Sequence, residues 1–329
     1  MYLFCKNKIE EDYLNNLSKV FLKHNVQFDK YCIYYLGDRG LIAEIEPLVR
    51  CIIFCIKNSL QLIVNSEFFS YSTKGWESFF ENFWGGDNKI ENLNKDNIKY
   101  RIFSGFNRDK RSLNFKNDFW TIMSYKTNNI TVGKFSFNQY QAFHQTFYKM
   151  IFKLKNDIYC EVLKLSEIKK QYKSYNCLHI RRGDKVKGVY AEDIYYPTSL
   201  YLKFIVNNKN PIFIMSDDYN SVKETKNLTS NNTFTICPNY RSGFNIGQIR
   251  EKKSYFNHNK DTENKLNFDN FTKKETILLL AELYIAFHSE IFIGTKKSNV
   301  SSTINLMRVN YKSKDISKDY LITKDDIIN

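Results

Sequence analysis

Apolar and polar residues alternate in blocks through the second half of the chain. Short apolar runs rich in Ile and Phe are each followed by a stretch whose apolar residues recur every three or four positions. Such alternation is typical of successive β-α units and predicts a Rossmann-type, doubly wound parallel sheet over residues 175–329. One long polar segment, residues 239–271, interrupts this pattern and is interpreted as a loop over a ligand site or an exposed insertion.

The first half of the chain starts with the same alternation and ends in a long helical pattern. Residues 30–56 read as a strand, a Gly turn and an apolar helix, and a second strand follows them. Residues 138–172 carry apolar side chains at helical spacing without a Pro or Gly. We therefore predict an α/β protein with an N-terminal lobe over 1–174, which ends in this helix, and a C-terminal lobe over 175–329.

Composition supports two folded lobes and leaves the partner open. The 329 residues exceed what one core usually covers, and 43% of them are hydrophobic. The net charge of +14 permits an anionic partner, such as nucleic acid, a membrane surface or a phosphorylated substrate. Because the lysines are scattered and form no stripe, a generally Lys-rich composition explains the charge, and no nucleic-acid partner is expected.

The sequence shows no targeting signal and no membrane span. Its start reaches a charge at Lys6, which is wrong for a signal peptide. No apolar run approaches the roughly 18–20 residues that a span needs. The seven cysteines form no C-x-x-C pair and are interpreted as reduced core thiols, and the five histidines are too dispersed for a zinc site. These features predict a cytoplasmic protein.

The segment "LHIRRGDKVK" (178–187) carries the clearest chemical signal. An apolar strand leads directly into Arg181 and Arg182, at the carboxyl end where open α/β sheets bind ligands. Arg pairs with phosphate oxygens bidentately, so two adjacent arginines suit a diphosphate. A salt-bridged surface turn is the alternative. The letters "RGD" also match an adhesion tripeptide, but that function requires an extracellular loop.

Two acidic residues follow on the same predicted loop. Glu192 lies ten positions after Arg182, and a carboxylate there could accept the proton of an attacking hydroxyl. Asp193 is its neighbour and a rival for this role. An ordinary loop acid ahead of a helix is the alternative for both.

A second acidic pair, Asp217 and Asp218, ends the next predicted strand. Sugar-nucleotide enzymes that use a metal often hold it with Asp-x-Asp, but these two residues are adjacent. Helix capping explains one of them without a ligand. The pair therefore indicates the edge of a ligand site more than a metal site.

The last β-α unit contributes a carboxylate and a helix start. Glu282 lies on a strongly apolar helix, and an alternative interpretation joins it to Glu275 and Ser289 as a solvent-exposed stripe at heptad spacing. Ser298 and Asn299 begin the following helix. Hydroxyl, amide and backbone N–H groups at a helix N-terminus form a natural anion site.

Taken in order, these segments resemble the α-1,6-fucosyltransferase family, the enzymes that fucosylate the core of N-glycans. The likeness spans residues 31 to 310. The family's His-x-Arg-Arg-x-Asp-Lys-Val motif corresponds to His179–Val186, and its Glu five residues before a Pro corresponds to Glu192 before Pro197. About three extra residues separate the two parts here.

Further segments agree with the family pattern less closely. The family's Tyr-Ala-Thr-Gly-Gly-Trp-Glu stretch corresponds to "YSTKGWE" (71–77), and its Asp-Asp to Asp217–Asp218. Its Thr-x-Ser-Ser-Gln turn corresponds to "TKKSN" (295–299), with Asn299 in place of Gln, and an upstream Asp falls on Glu282. The Gly turn matches loosely at Gly40.

The resemblance implies a two-lobed, GT-B-like fold, with the N-terminal lobe on the acceptor side and the C-terminal lobe binding the nucleotide sugar. It also implies an inverting, metal-independent transfer of fucose from GDP-fucose. It implies that Arg181 and Arg182 hold the diphosphate and that Glu192 is the general base, with Lys185 beside it. The residues implied to bind the nucleotide sugar are His179, Gly40, Tyr71, Asp217, Asp218, Glu282, Ser298 and Asn299.

The acceptor is implied only as an oligosaccharide or glycoconjugate. The family's membrane anchor, coiled stem and terminal β-barrel module are not expected from this sequence, and on that expectation the acceptor need not be an N-glycan core. Two alternatives stay open at this point. One is a transferase of the same fold with another GDP-sugar or linkage, and the other is a non-enzymatic basic binding protein.

Overall fold

The structure, a computed structural model, divides the chain into two compact units, Met1–Asn156 and Asp157–Asn329. Each unit contains a parallel sheet with helices, so the predicted α/β class is confirmed. The residues that the structure describes are 1–5, 7–37, 40–66, 69, 71–72, 74–85, 93–103, 137–183, 186, 194–243, 262–308 and 319–328.

The first unit is built on a three-stranded parallel sheet with the order β2-β1-β3. Its described elements are α1 (Lys8–Asn25), β1 (Tyr31–Tyr35), α2 (Leu41–Lys57), β2 (Gln61–Asn65), β3 (Ile98–Phe103) and α3 (Phe137–Ile151), with short 3-10 turns at Trp76–Ser78 and Lys95–Asn97. The central strand β1 is buried over its three middle residues, and most of α2 is buried as well. This agrees with the strand, turn and apolar helix predicted for residues 30–56.

The prediction of one long helix over residues 138–172 is wrong in one respect. The structure has two helices there, α3 and a second one that begins at Asn156, with a short non-helical segment between them. In that segment the Leu154 N–H donates to the Met1 carbonyl over 2.8 Å, and the Leu3 N–H donates to the Phe152 carbonyl over 3.0 Å. These backbone groups bond to the N-terminal residues of the chain, so they do not continue the helical hydrogen-bond ladder.

The break in the helix coincides with the division into units. The first unit ends at Asn156, whereas the sequence pattern predicts the lobe boundary at residue 174. The second helix, α4 (Asn156–Ser166), and the 3-10 helix Glu167–Gln171 therefore belong almost entirely to the second unit. The role of the N-terminal lobe as the acceptor side stays a prediction.

The second unit is built on a five-stranded parallel sheet with the order β6-β5-β4-β7-β8. Its strands are β4 (Asn176–Ile180), β5 (Ile212–Ser216), β6 (Thr233–Phe234), β7 (Phe292–Thr295) and β8 (Tyr320–Ile322), and its further helices are α5 (Thr198–Lys203), α6 (Tyr219–Leu228), α7 (Thr262–Phe287), α8 (Asn299–Arg308) and α9 (Asp325–Ile328). The chain order reverses between β4 and β7, which confirms the predicted doubly wound sheet and places its switch point there.

The polar segment 239–271 differs from its interpretation as a loop or an exposed insertion. Its last part is helical, because α7 begins at Thr262. Its first part bonds to the sheet edge, since Ser242 forms a β-bridge with Asp218 and the Tyr219 N–H donates to the Arg241 carbonyl. The middle of the segment, residues 244–261, lies outside the described residues.

Candidate functional site at the edge of the second sheet

The two arginines of the "HIRRGD" motif follow β4 at the switch point of the sheet. Arg181 donates through Nη1 to Oδ2 of Asp217, which directly follows β5. The backbone N–H of Arg182 donates to Oδ1 of the same carboxylate over 2.8 Å. Asp217 therefore fixes the turn after β4 to the end of the neighbouring strand, and the structure brings these three predicted residues together.

Arg182 is 5% exposed, which the surface-turn alternative does not explain. Its Nη1 donates to the Arg181 carbonyl over 3.2 Å, and its Nη2 donates to Oγ1 of Thr198 over 3.1 Å. Its Cζ lies 4.2 Å from the ring centre of Tyr195, a cation–π contact. The buried Thr198 hydroxyl in turn donates to Oε2 of Glu224 over 2.6 Å. These contacts hold the guanidinium in one orientation.

The turn after the arginines requires a glycine and touches a second glycine. Gly183 has a φ of 65° and Gly243 has a φ of 83°, both in the left-handed region. A Cβ at Gly183 would lie 1.6 Å from the Gly243 carbonyl oxygen. The Gly243 N–H also donates to the Asp217 carbonyl over 2.8 Å. The two turns are therefore packed backbone to backbone beside the arginines.

His179 is the last-but-one residue of β4, two positions before Arg181, and it is only 4% exposed. Its Nδ1 lies 2.6 Å from Oγ of Ser301 on α8, and Ser301 Oγ also accepts from the Thr295 N–H over 3.1 Å. Burial, with the nearby charge of Arg181, lowers the pKa of His179 to about 3. The imidazole is therefore neutral near pH 7 and adds no third positive charge to the site.

Arg241 occupies the interior next to the site, although the sequence analysis assigned no role to it. Its Nη1 donates to the Ser216 carbonyl over 3.1 Å and to both carboxylate oxygens of Glu282 over 2.8 and 3.0 Å. Its Nε donates to Oε2 of Glu275 over 3.2 Å. The interpretation of Glu275, Glu282 and Ser289 as a solvent-exposed stripe is wrong, because Glu282 is 2% exposed and Ser289 is fully buried.

The buried charges of Arg241 and Glu282 stabilise each other. Burial raises the pKa of Glu282, and the guanidinium of Arg241 opposes that effect. Burial disfavours the charged form of Arg241, but the carboxylates of Glu282 and Glu275 outweigh it and raise the pKa of Arg241. A carboxylate on an apolar helix needs a cationic partner. The sequence signal for that partner is Arg241, the single arginine of "PNYRSG" (238–243).

Two further predicted ligand residues, Asp218 and Ser298, have local structural roles, and a third, Asn299, begins a helix. The Asp218 side chain accepts from the Asn220 N–H over 2.9 Å and caps α6. Ser298 Oγ accepts from the Ser301 N–H over 3.4 Å at the start of α8, whose first residue is the exposed Asn299. Contact of these residues with a nucleotide stays a prediction.

Gly40 and Tyr71 are brought together in the first unit. Tyr71 accepts through its hydroxyl oxygen from the Leu41 N–H over 2.7 Å, at the first residue of α2. A Cβ at Gly40 would lie 3.8 Å from the same oxygen. The predicted base Glu192, its rival Asp193 and Lys185 lie outside the described residues.

Comparison with known proteins gives matches in structure but not in sequence. No protein-family model and no curated protein matches the chain. Across the residues that the structure describes, none of the helices has the length and apolarity to cross a membrane.

Three of the structural matches are crystal structures of one fucosyltransferase, NodZ. The crystal structure of fucosyltransferase NodZ from Bradyrhizobium matches with a TM-score of 0.51 and 11% identity, over 84% of this chain and 94% of NodZ. NodZ α-1,6-fucosyltransferase co-crystallized with GDP matches with a TM-score of 0.51 and 12% identity, over 84% and 93%. NodZ soaked with GDP-fucose matches with a TM-score of 0.50 and 11% identity, over the same shares. The chain shares the fold of these structures, so the GT-B-like fold prediction is confirmed.

Proposed function

We propose that the protein transfers fucose from GDP-fucose to a hydroxyl of an oligosaccharide or glycoconjugate. The observation that carries this proposal is the placement of Arg181 and Arg182 at the carboxyl end of β4, beside the switch point. The chain shares its fold with NodZ, which was co-crystallized with GDP in one structure and soaked with GDP-fucose in another. The ligand predicted for this chain and the nucleotides used with the NodZ crystals are thus the same class of molecule.

The two arginines would bind the diphosphate of the donor. As the bond between fucose and GDP breaks, negative charge develops on the β-phosphate, and fixed guanidinium groups stabilise that charge. The Asp217 carboxylate and the Thr198 hydroxyl already orient Arg181 and Arg182. The site would therefore need little reorganisation when the nucleotide sugar binds.

Transfer without a divalent metal ion is part of the proposal. Asp217 accepts from Arg181 and from the backbone of Arg182, and Asp218 caps α6. Both carboxylates of the acidic pair are thus engaged by other groups. We assign the neutralisation of the diphosphate to the arginines instead of to a metal held by these acids.

We further propose an inverting displacement with Glu192 as general base. The acceptor oxygen would attack the anomeric carbon from the face opposite GDP, while the bond to the β-phosphate oxygen breaks. Glu192 would take the hydroxyl proton, with Lys185 beside it. These two roles rest on the sequence motif.

The first test is nucleotide binding in the presence of EDTA. Calorimetry should show that GDP binds without metal and that UDP binds more weakly. Arg181→Ala should weaken GDP binding by about 10- to 100-fold, because a charge-assisted hydrogen bond to the phosphate is lost. Lys226→Ala, which removes an exposed cation of the same unit, should bind GDP like the parent. Equal GDP binding by Arg181→Ala and the parent would contradict the site.

The second test is transfer itself. The protein is incubated with a panel of GDP-sugars and an oligosaccharide array in EDTA, and products are read by mass spectrometry. Fucosylated products are expected, and Glu192→Gln should abolish them while GDP still binds. Transfer from a different GDP-sugar would replace the donor assignment. Binding of GDP without transfer from any donor would favour a non-enzymatic binding protein.

A further inference from the structure

Three buried cysteines converge in the core of the first unit, apart from the residues discussed so far. Cys32 lies on β1, and Cys51 and Cys55 lie on α2. Their exposures are 0%, 1% and 1%, and their Sγ atoms all lie within 4.8 Å of one another. The four-residue spacing places Cys51 and Cys55 on one face of the helix. Two elements thus present a triangle of thiols.

The spacing of the sulfur atoms suits a single bound metal ion. The Sγ atoms of Cys32 and Cys51 are 3.7 Å apart. An ion with metal–sulfur bonds of about 2.3 Å, centred among three thiolates, places the sulfur atoms about 4 Å from each other. The triangle therefore needs only small side-chain adjustments to close around an ion.

The number of ligands selects the class of metal. Among the described residues, no imidazole, carboxylate or further thiol joins this group within the same distance. Structural zinc sites are almost always four-coordinate and tetrahedral, so a three-sulfur set is incomplete for Zn²⁺. Thiolate ligands select soft ions such as Cu(I). We propose that Cys32, Cys51 and Cys55 form a three-sulfur binding site for Cu(I).

Binding of the ion would displace the protons of the three sulfur atoms, because thiolates, and not thiols, are the metal ligands.

Ordinary packing is the competing explanation, since buried cysteines often act as small apolar side chains. The two explanations differ in what a substitution does. If the cysteines only fill space, Cys51→Ala changes stability slightly and has no effect on metal content. If they bind Cu(I), it removes the ion and the stability that the ion adds by binding the folded state.

The test measures copper on the full chain. The protein is produced in copper-supplemented cells, purified without oxygen, and titrated with Cu(I) against bicinchoninate, a competing chelator. We expect one Cu(I) per chain and a higher melting temperature on loading. Cys32→Ser, Cys51→Ser and Cys55→Ser should each weaken Cu(I) binding by more than about 100-fold. Cys160→Ser, at an exposed cysteine on α4, should bind like the parent.

Several results would overturn the site. They are an absence of bound Cu(I) in the parent, unchanged binding in Cys51→Ser, and a Cys32–Cys51 disulfide in protein kept without oxygen. One Zn²⁺ per chain, held by the same three cysteines in preference to Cu(I), would overturn the metal class. Circular dichroism of the metal-free variants separates loss of the ligand from loss of the fold, and Cys51→Ala gives a second variant that retains the small apolar volume.

Discussion

Two buried arginines of the second unit differ in how their charge is balanced. Arg308 is fully buried and donates to both carboxylate oxygens of Asp319, over 2.6 and 2.8 Å. It also donates to the carbonyls of Phe287 and Ser289 at the C-terminal end of α7, over 3.0 and 2.7 Å. Among the described residues, the contacts of the Arg182 guanidinium are a carbonyl, a hydroxyl and an aromatic ring, all uncharged.

The difference separates a structural arginine from a ligand-binding one. Arg308 has a carboxylate partner and closes a helix end, where carbonyl dipoles favour a cation. The guanidinium of Arg182 is oriented by neutral groups among the described residues, so its positive charge remains available to an anion. Burial alone does not distinguish the two roles, whereas the charge of the partners does.

The largest expected effect is that of Arg308→Ala on stability. Removal of the guanidinium leaves Asp319 buried without its partner, and we expect the free energy of unfolding to fall by about 3–5 kcal/mol. Urea denaturation followed by circular dichroism measures this loss. Lys324→Ala removes an exposed cation just after β8, the strand that follows Asp319. This variant should have the same free energy of unfolding as the parent. An Arg308→Ala variant as stable as the parent would contradict the structural role.

In contrast to Arg308→Ala, Arg182→Ala should weaken ligand binding and leave stability nearly unchanged. No carboxylate among the described residues loses a direct partner, so the free energy of unfolding should change by less than about 1 kcal/mol. Binding of GDP should weaken by about 10- to 100-fold. Calorimetry and urea denaturation of the same preparation measure the two quantities. If stability falls as in Arg308→Ala and GDP binding is unchanged, the two arginines have the same role.

The neutral state of His179 predicts a pH dependence of stability. An unfolded His binds a proton below about pH 6.5, whereas folded His179 does so only below about pH 3. Between these values the unfolded state holds more protons. The free energy of unfolding should therefore fall as pH falls from 6.5 towards 3, by at most about 1.4 kcal/mol per pH unit.

Urea denaturation between pH 7 and pH 4 tests this dependence. His179→Gln removes the titrating group and should flatten the curve. Identical curves for the parent and His179→Gln would show that His179 takes up its proton at the same pH in the folded and unfolded states. The site would then gain a third cation beside the arginines below about pH 6.5.

The smallest expected effect concerns Thr198, which connects Arg182 to Glu224. Thr198→Val keeps the side-chain shape and removes the hydroxyl, so Nη2 of Arg182 loses its acceptor. We expect GDP binding to weaken by about 3- to 10-fold. Thr198→Ser retains the hydroxyl and should restore most of the affinity in calorimetry. Equal affinity in the Val and Ser variants would show that this hydroxyl does not orient Arg182.

The fold of the second unit was predictable because its three central strands, β5, β4 and β7, are buried on both faces. Strands β4 and β5 are buried at every residue, and such strands appear in a sequence as continuous apolar runs. The Arg181–Arg182 pair was predictable for the same reason, since it directly follows one of these runs. Local sequence is sufficient wherever a residue's position depends on its own strand.

The parts that were missed depend on residues distant in sequence. Glu275 and Glu282 lie seven positions apart on α7, but heptad spacing is the same for a buried face and an exposed one. Only the contact with Arg241, 41 positions away from Glu282, shows that this face is internal. The break after α3 likewise depends on hydrogen bonds to the first residues of the chain.

The contact between Gly183 and Gly243 has a consequence for anyone who redesigns the site. The carbonyl oxygen of Gly243 occupies the volume that a side chain at Gly183 would need, and both residues have positive φ. A loop transplanted from another protein must therefore bring both turns or preserve both glycines. A replacement for the segment that carries Glu192 should therefore begin after Gly183. Gly183 and Gly243 then both remain in the protein, and their contact is preserved.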